Sequence, residues 1–181
     1  MNHTINLKDP NSVVKPIPIK PNQKFLYQFY IKLGQEQASG RVYKHSDTSA
    51  CAMFMIPKIV KPNEARFLHN LVASDSNTIM EPPNIPDQST IINTIARYPC
   101  RSNVDLSDMY HNIRIHAPHK KHTACVTPYR TYRTRVMQPG DCNATATFQT
   151  IMNNLFRDEL GICVYVYIDD IFIFSKTYKD H

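Results

Sequence analysis

The chain has no tryptophan, only four glycines in 181 residues, and no apolar run long enough to cross a bilayer. A spanning helix needs about 20 consecutive apolar residues, so no membrane partner is expected, and the opening Met1-Asn2-His3-Thr4 is nothing like a signal peptide. Paired cysteine motifs are missing too. Cys51, Cys100, Cys125, Cys142 and Cys163 are odd in number and form no CxxC pair, which excludes a disulfide framework or a zinc knuckle and reads as reduced thiols in a cytosolic or nuclear compartment. Thirteen prolines against four glycines point to extended connections.

What is present is an ordinary globular composition. Hydrophobic residues make up 42% and aromatics 10%, too apolar for a disordered chain and enough for one domain or two small subdomains with a real core. The net charge of +6 and pI near 9.1 permit a polyanionic partner without demanding one. The charge is uneven: from Met109 to Gly140 there is no Asp or Glu, while Arg114, Lys120, Lys121, Arg130, Arg133 and Arg135 accompany four histidines and Tyr129 and Tyr132. That composition tracks phosphates and stacks on bases; a solvated hairpin face would show the same composition.

The most informative segment is Tyr167-Ile168-Asp169-Asp170, set between the apolar runs Ile162–Val166 and Ile171–Phe174. Both runs are β-branched and aromatic, so they read as strands with two aspartates at their tight connection. Adjacent carboxylates repel and are costly unless a cation sits against them, and a divalent metal would serve.

Upstream, residues 1–21 carry Pro10, Pro16, Pro18 and Pro21 and should run extended. Asn22 is a plausible N-cap for a helix with Phe25, Leu26, Phe29, Tyr30 and Leu33 on one face, stopping at Gly40. Strands follow over 52–59 and 66–72. Asp87 caps a helix carrying Ile91, Ile92 and Ile95, a strand ends at Val104-Asp105, and further strands cover roughly 113–137. Asn143 opens the clearest helix, whose Phe148, Ile151, Met152, Leu155 and Phe156 follow helical spacing. The order is mixed, α+β.

Three segments carry a resemblance. Ser102-Asn103-Val104-Asp105-Leu106-Ser107-Asp108-Met109-Tyr110, then Val136-Met137-Gln138-Pro139-Gly140-Asp141-Cys142-Asn143 continuing to Phe148-Gln149, then Val166-Tyr167-Ile168-Asp169-Asp170, resemble successive motifs of reverse transcriptases, most closely those of gypsy-type long-terminal-repeat retrotransposon pol polyproteins. Met55-Ile56-Pro57-Lys58, Arg66 and Ile85–Ile91 resemble the fingers segment of the same family.

The resemblance implies a right-hand polymerase in which residues 22–98 and 118–147 form fingers and residues 99–117 and 148–181 part of a palm, an antiparallel sheet with flanking helices. It implies an RNA-directed DNA polymerase that uses two Mg²⁺ ions, one activating the primer 3′-hydroxyl and the other steadying the leaving pyrophosphate. Asp105 and Asp169 would be the metal-holding catalytic carboxylates, with Asp170 a weaker participant. Tyr110 would lie under the incoming sugar; Arg66, Gln138, Gly140 and Lys58 would contact the nucleotide. Gln149 and Tyr167 would meet the nucleic acid, as would Lys120, Lys121, Arg133 and Arg135 of the basic stretch. The implied partners are an RNA or DNA template-primer and deoxynucleoside triphosphates. Asp108 is expected to cap the following helical turn.

Departures from the family accompany the matches. Val72 stands where an Arg is usual, removing a bidentate donor. Arg130 replaces a Gly, straining the hairpin if a positive φ is required there, and Thr145 replaces a Pro. The sequence ends at His181, with no thumb, connection, ribonuclease H or protease motif. It therefore reads as an incomplete or decayed reverse transcriptase domain, with a non-catalytic nucleic-acid-binding module or an inactive retrotransposon remnant as the alternatives.

Overall fold

A computed structural model describes residues 1–15, 19 and 22–181. The extended run expected at Pro16, Pro18 and Pro21 lies outside the described residues. The chain forms two compact units, one of residues 2–80 with 111–142, the other of residues 81–110 with 143–181 and Met1.

The larger unit is built on a five-stranded sheet. After a 3₁₀ turn at Gln23–Phe25, with the Asn22 side chain accepting from the Lys24 N–H, α1 runs Leu26–Ala38. It stops where Gly40 takes φ +72°, a conformation glycine adopts without steric cost. The strands are β1 (Val42–Lys44), β2 (Cys51–Pro57), β3 (Ala65–Asn70), β5 (Ala124–Val126) and β6 (Thr131–Thr134), in the order β1-β6-β5-β2-β3. All pairs are antiparallel except β2 with β5, whose register sets Cys51 beside Cys125. Phe29 and Leu33 of α1 close over Val42, Cys51, Met53, Leu71, Cys125 and Tyr132 to make the core. The one buried acid of α1, Glu36, is met by Lys32 at 3.1 Å and Arg41 at 3.8 Å.

Three features depart from the sequence reading. The second strand ends at Asn70, and Val72–Asn77 forms a short helix, α2, with no buried residue and hence no apolar periodicity to betray it. The span 113–137 is not continuous strand: Ala117–Thr123 is a 3₁₀ helix with proline in its first turn. The described part of the N-terminal segment, residues 1–15, turns where Ser12 N–H donates to Asp9 O and is sewn into this unit. His3 N–H donates to Arg114 O, Ile5 N–H to His119 Nδ1, Lys8 N–H to Asn77 O, and Ala50 N–H to Val14 O.

The smaller unit holds α3 (Gln88–Ile95), β4 (Cys100–Asp105), α4 (Ala144–Leu155), β7 (Val164–Tyr167) and β8 (Asp170–Ser175), the strands forming an antiparallel sheet in the order β4-β8-β7. Asp87 caps α3 by accepting from the Thr90 N–H at 2.9 Å. Residues 81–98, grouped with the fingers in the sequence reading, cluster here, because Glu81 N–H donates to Asn143 Oδ1 and Asn153 Nδ2 reaches Asn84 O. Phe174 is fully buried between Tyr98 and Tyr165, at ring separations of 4.7 and 5.5 Å. The buried residues of α4 are Ala144, Ala146, Thr147, Phe148, Gln149 and Met152, whereas Leu155 is 68% exposed. Phe148→Ala should therefore cost about 3–5 kcal/mol, and Leu155→Ala no more than about 0.5 kcal/mol, measured by urea denaturation; the expected apolar stripe would have made both costly.

Candidate active site

Strand pairing brings two of the three aspartates together. Asp105, the last residue of β4, is paired with Asp170, the first of β8, although the two are far apart in sequence. The Leu106 N–H donates to Asp169 O at 3.3 Å, a bond on the outer side of the pair, so Asp105 and Asp170 occupy a non-hydrogen-bonded position. There opposing side chains share a face and approach most closely, with Cα atoms about 4.5 Å apart. Asn103, two residues back on the same face, donates from Nδ2 to Asp170 Oδ1 at 2.9 Å. Asp105 and Asp169 are exposed, and among the described residues no lysine or arginine pairs with Asp105, Asp169 or Asp170.

Asp169 owes its place to the turn. Tyr167 pairs with Asp170, leaving Ile168 and Asp169 as a two-residue hairpin loop. Ile168 has φ +57°, one of only two positive values among the described non-glycine residues. For a β-branched side chain this is a strained conformation, costing on the order of 1–3 kcal/mol and kept only where surroundings enforce it. Against this turn lies Gln149 of α4, fully buried, whose Oε1 accepts from the Ile168 N–H at 3.2 Å while Nε2 donates to Val166 O at 3.0 Å. Gln149, read from sequence as a nucleic-acid contact, is thus spent internally: no surface is left on it for a strand to touch.

Tyr110 is half-buried, its ring 6.0 Å from that of the buried Phe148, and Tyr167 is half-buried at the end of β7. Asp108 takes φ 53°, a left-handed turn conformation rather than the extended backbone of an ordinary helix cap. In the other unit, Arg66 projects from exposed backbone of β3 opposite Ile56. Lys58 pairs with Glu64 across the β2–β3 turn. Gln138 is half-buried, donating from Nε2 to Val136 O, and Gly140 is exposed with Leu71 3.3 Å from where a Cβ would stand.

The basic stretch is less free than its composition suggests. Lys121 and Arg135 are exposed and Lys120 half-exposed, but Arg133 is held by both oxygens of Asp47 and is partly buried. Arg133 is therefore corrected from a free phosphate contact to one arm of an internal bidentate pair; its acid lies 86 residues away in sequence, outside the acid-free segment. Arg135 stacks over Tyr43, 4.6 Å from the ring centre. Arg130 is not strained, since its φ is not positive; Thr127 Oγ1 accepts from the Arg130 N–H at 3.1 Å and folds the turn without a glycine.

Sequence reasoning missed a buried acid beside the Gln138–Gly140 loop. Asp141 accepts from the Gln138 N–H at 2.9 Å and lies 3.8 Å from His3 Nε2, with side chains only 13% and 1% exposed. Burial, aided by nearby Asp75, pushes Asp141 up to about 7, while burial and then His119 push His3 down to about 4. A lone His near the N-terminus and an Asp after Gly140 give no local sign of this meeting.

Residues 51–181 match the family model described as reverse transcriptase (RNA-dependent DNA polymerase). The chain belongs to the reverse transcriptase family. It is 29% identical over 132 residues to the retrovirus-related Pol polyprotein from transposon opus of Drosophila melanogaster, covering 71% of this chain and 13% of that polyprotein. With the RNA-directed DNA polymerase homolog of Oenothera berteroana it shares 34% identity over 107 residues, 58% of this chain and 75% of the other. Its fold is that of the foamy viral protease-reverse transcriptase solved in complex with double-stranded DNA, at a TM-score of 0.82 and 18% identity, over 99% of this chain and 32% of that one. The α+β architecture, largely antiparallel sheets with flanking helices and one parallel pair, β2 with β5, is thus that of polymerase fingers and palm.

The buried His3–Asp141 pair has a pH signature. Folding raises Asp141 from its ordinary 3.8, so alone it loses stability as pH rises from about 4 to about 7; folding lowers His3 from 6.5, so alone it loses stability as pH falls over 6.5 to about 4. In that window the folded pair holds its single proton on the carboxyl and the unfolded pair on the imidazole, and the two slopes cancel. Relative to the unaltered chain, Asp141→Asn should therefore lose stability on acidification between pH 6.5 and 4.5, and His3→Gln should gain it, each by up to about 1.4 kcal/mol per pH unit, read by urea denaturation at the two pH values.

Proposed function

We propose that the chain is the fingers and partial palm of a gypsy-type long-terminal-repeat retrotransposon reverse transcriptase and carries RNA-directed nucleotide addition. The two compact units support taking residues 2–80 with 111–142 as fingers and residues 81–110 with 143–181 as palm, which would move residues 81–98 out of the fingers bounds read from sequence. The observation that carries the reading is the paired Asp105 and Asp170 with Asp169 on the adjoining turn, two of the three exposed and without a cationic partner among the described residues.

Hard carboxylate oxygens left without a cation fit Mg²⁺, which keeps several waters and takes one or two protein carboxylates together with substrate phosphates. Among the described residues no group of three or more His, Cys, Asp or Glu is assembled to hold a metal ion. Asp105 and Asp169 would hold the ions, and Asp170, already engaged by Asn103, would contribute less. When bound, the metal supplies charge stabilisation at the phosphoryl oxygens and lowers the pKa of the attacking hydroxyl. Tyr110 would pack beneath the sugar of the incoming deoxynucleotide, and Arg66, Gln138 and Gly140 would orient it; Lys58 is available because an exposed ion pair with Glu64 is worth little and exchanges readily. Template-primer would be tracked by Lys120, Lys121 and Arg135. Five unpaired cysteines support a reducing, intracellular setting, and no described helix is long and apolar enough to cross a membrane.

The test is single-nucleotide incorporation on an RNA template with a DNA primer. Mg²⁺-dependent addition should fall at least about 10³-fold in Asp169→Asn and in Asp105→Asn. Salt-sensitive binding of template-primer with no incorporation at any Mg²⁺ concentration would instead favour a non-catalytic binding module, a second reading that the exposed Val72 in place of an arginine supports.

Binding itself should weaken steeply with salt, each phosphate contact contributing about 0.7–0.9 to the log–log slope. Replacing Lys120, Lys121 and Arg135 with Ala should flatten that slope. Arg133→Ala should lower stability and leave the slope nearly unchanged, because Asp47 already neutralises it; fluorescence anisotropy between 50 and 200 mM salt decides.

A further inference from the structure

We propose that Gln149 is a positioning residue for the catalytic turn, holding Ile168 in its left-handed conformation and so aiming Asp169. The inference rests on the nucleotide-addition reading above. Two-residue hairpin loops normally carry glycine or asparagine where φ is positive, because those residues favour the turn by themselves. Here the loop is Ile168-Asp169, which has no such local preference. Asp169 itself lies outside the β7 and β8 strands, so its direction follows from the backbone of the residue before it.

The force that holds the turn comes from α4. Gln149 brackets the end of β7, donating to Val166 O and accepting from the Ile168 N–H. Its orientation is fixed, since reversing the amide would set Nε2 against an N–H and Oε1 against a carbonyl. The remaining N–H of Nε2 donates to Asn153 Oδ1 at 2.9 Å, one helical turn along, and Asn153 Nδ2 in turn reaches Asn84 O at 3.4 Å. Both amide protons and the carbonyl of a side chain with no exposure are thus used, and a chain of hydrogen bonds runs from the proline-rich segment at Asn84 to the acidic turn. A leucine at 149 would keep the volume and the helix and remove all three bonds. Such supporting residues around metal ligands typically alter affinity 10- to 100-fold when changed.

The experiment uses Mn²⁺ as the probe, with free ion followed by electron paramagnetic resonance, and hydrogen exchange at the Ile168 amide. Gln149→Leu should weaken Mn²⁺ binding about 10-fold and accelerate exchange at Ile168 while the circular dichroism spectrum is kept. Ile168→Gly, which removes the steric cost of positive φ, should restore affinity in the Gln149→Leu background to within about 3-fold of the unaltered chain. A Gln149→Leu chain with unchanged Mn²⁺ affinity and unchanged Ile168 exchange overturns the proposal. So does a loss that Ile168→Gly does not restore, since that marks general damage to the core. If the unaltered chain binds Mn²⁺ no better than Asp169→Asn, the metal reading fails, and the role of Gln149 is then judged on Ile168 exchange alone: acceleration upholds the turn lock and its absence refutes it.

Discussion

The register of β4 against β8 is the constraint on which the site depends. Side chains alternate with a period of two, so a slip of one residue would turn Asp105 to the opposite face and part it from Asp170. The acids cannot hold that register themselves, because their charges repel. Strand β8 itself is anchored by apolar contacts further along: Ile171 lies opposite buried Val166 of β7 on one face, and on the other fully buried Phe174 packs against Tyr165 of β7 and against Tyr98, two residues before β4. Hydrophobic packing thus brings two carboxylates to a distance that electrostatics alone would oppose.

The same residue type meets opposite fates in the two units. Asp105 and Asp169 stay exposed to solvent. Asp141 is shut away from water beside Asp75 and His3, and burial pushes its carboxyl up to about 7, towards holding a proton. Glu36 takes a third course and is paired with Lys32 and Arg41. Water, a proton or a partner charge answers the cost of an acid in each case, and only the first leaves the group available for chemistry.

Much of this was legible in the sequence where the determinant is local. Asp87 caps as its position suggests, Asn22 caps the 3₁₀ turn that leads into α1 rather than α1 itself, the β-branched runs around Tyr167–Asp170 are strands, and the hairpin falls where two acids interrupt them. What escaped is long-range or aperiodic. Asp47 reaches Arg133 across 86 residues. The helix α2 buries nothing and so leaves no periodic trace. Gln149 looked like a surface residue because a polar side chain with all of its hydrogen-bonding capacity used indoors has the same letter as one facing a ligand. Arg130 replaces a glycine without strain because a threonine three residues earlier supplies the turn.

The parallel pairing of β2 with β5 sets the thiols of Cys51 and Cys125 side by side in the core. Neighbouring strands lie about 4.8 Å apart, within the range a disulfide can bridge. Burial pushes Cys51 up to about 12 and Cys125 well above its ordinary value, so almost no thiolate exists to react while the sheet is closed. The sheet thus shields both thiols from reaction, and that of Cys125 is further engaged as a donor to Tyr132 O at 3.5 Å, so closure of the central strands is what separates two neighbouring cysteines from solvent.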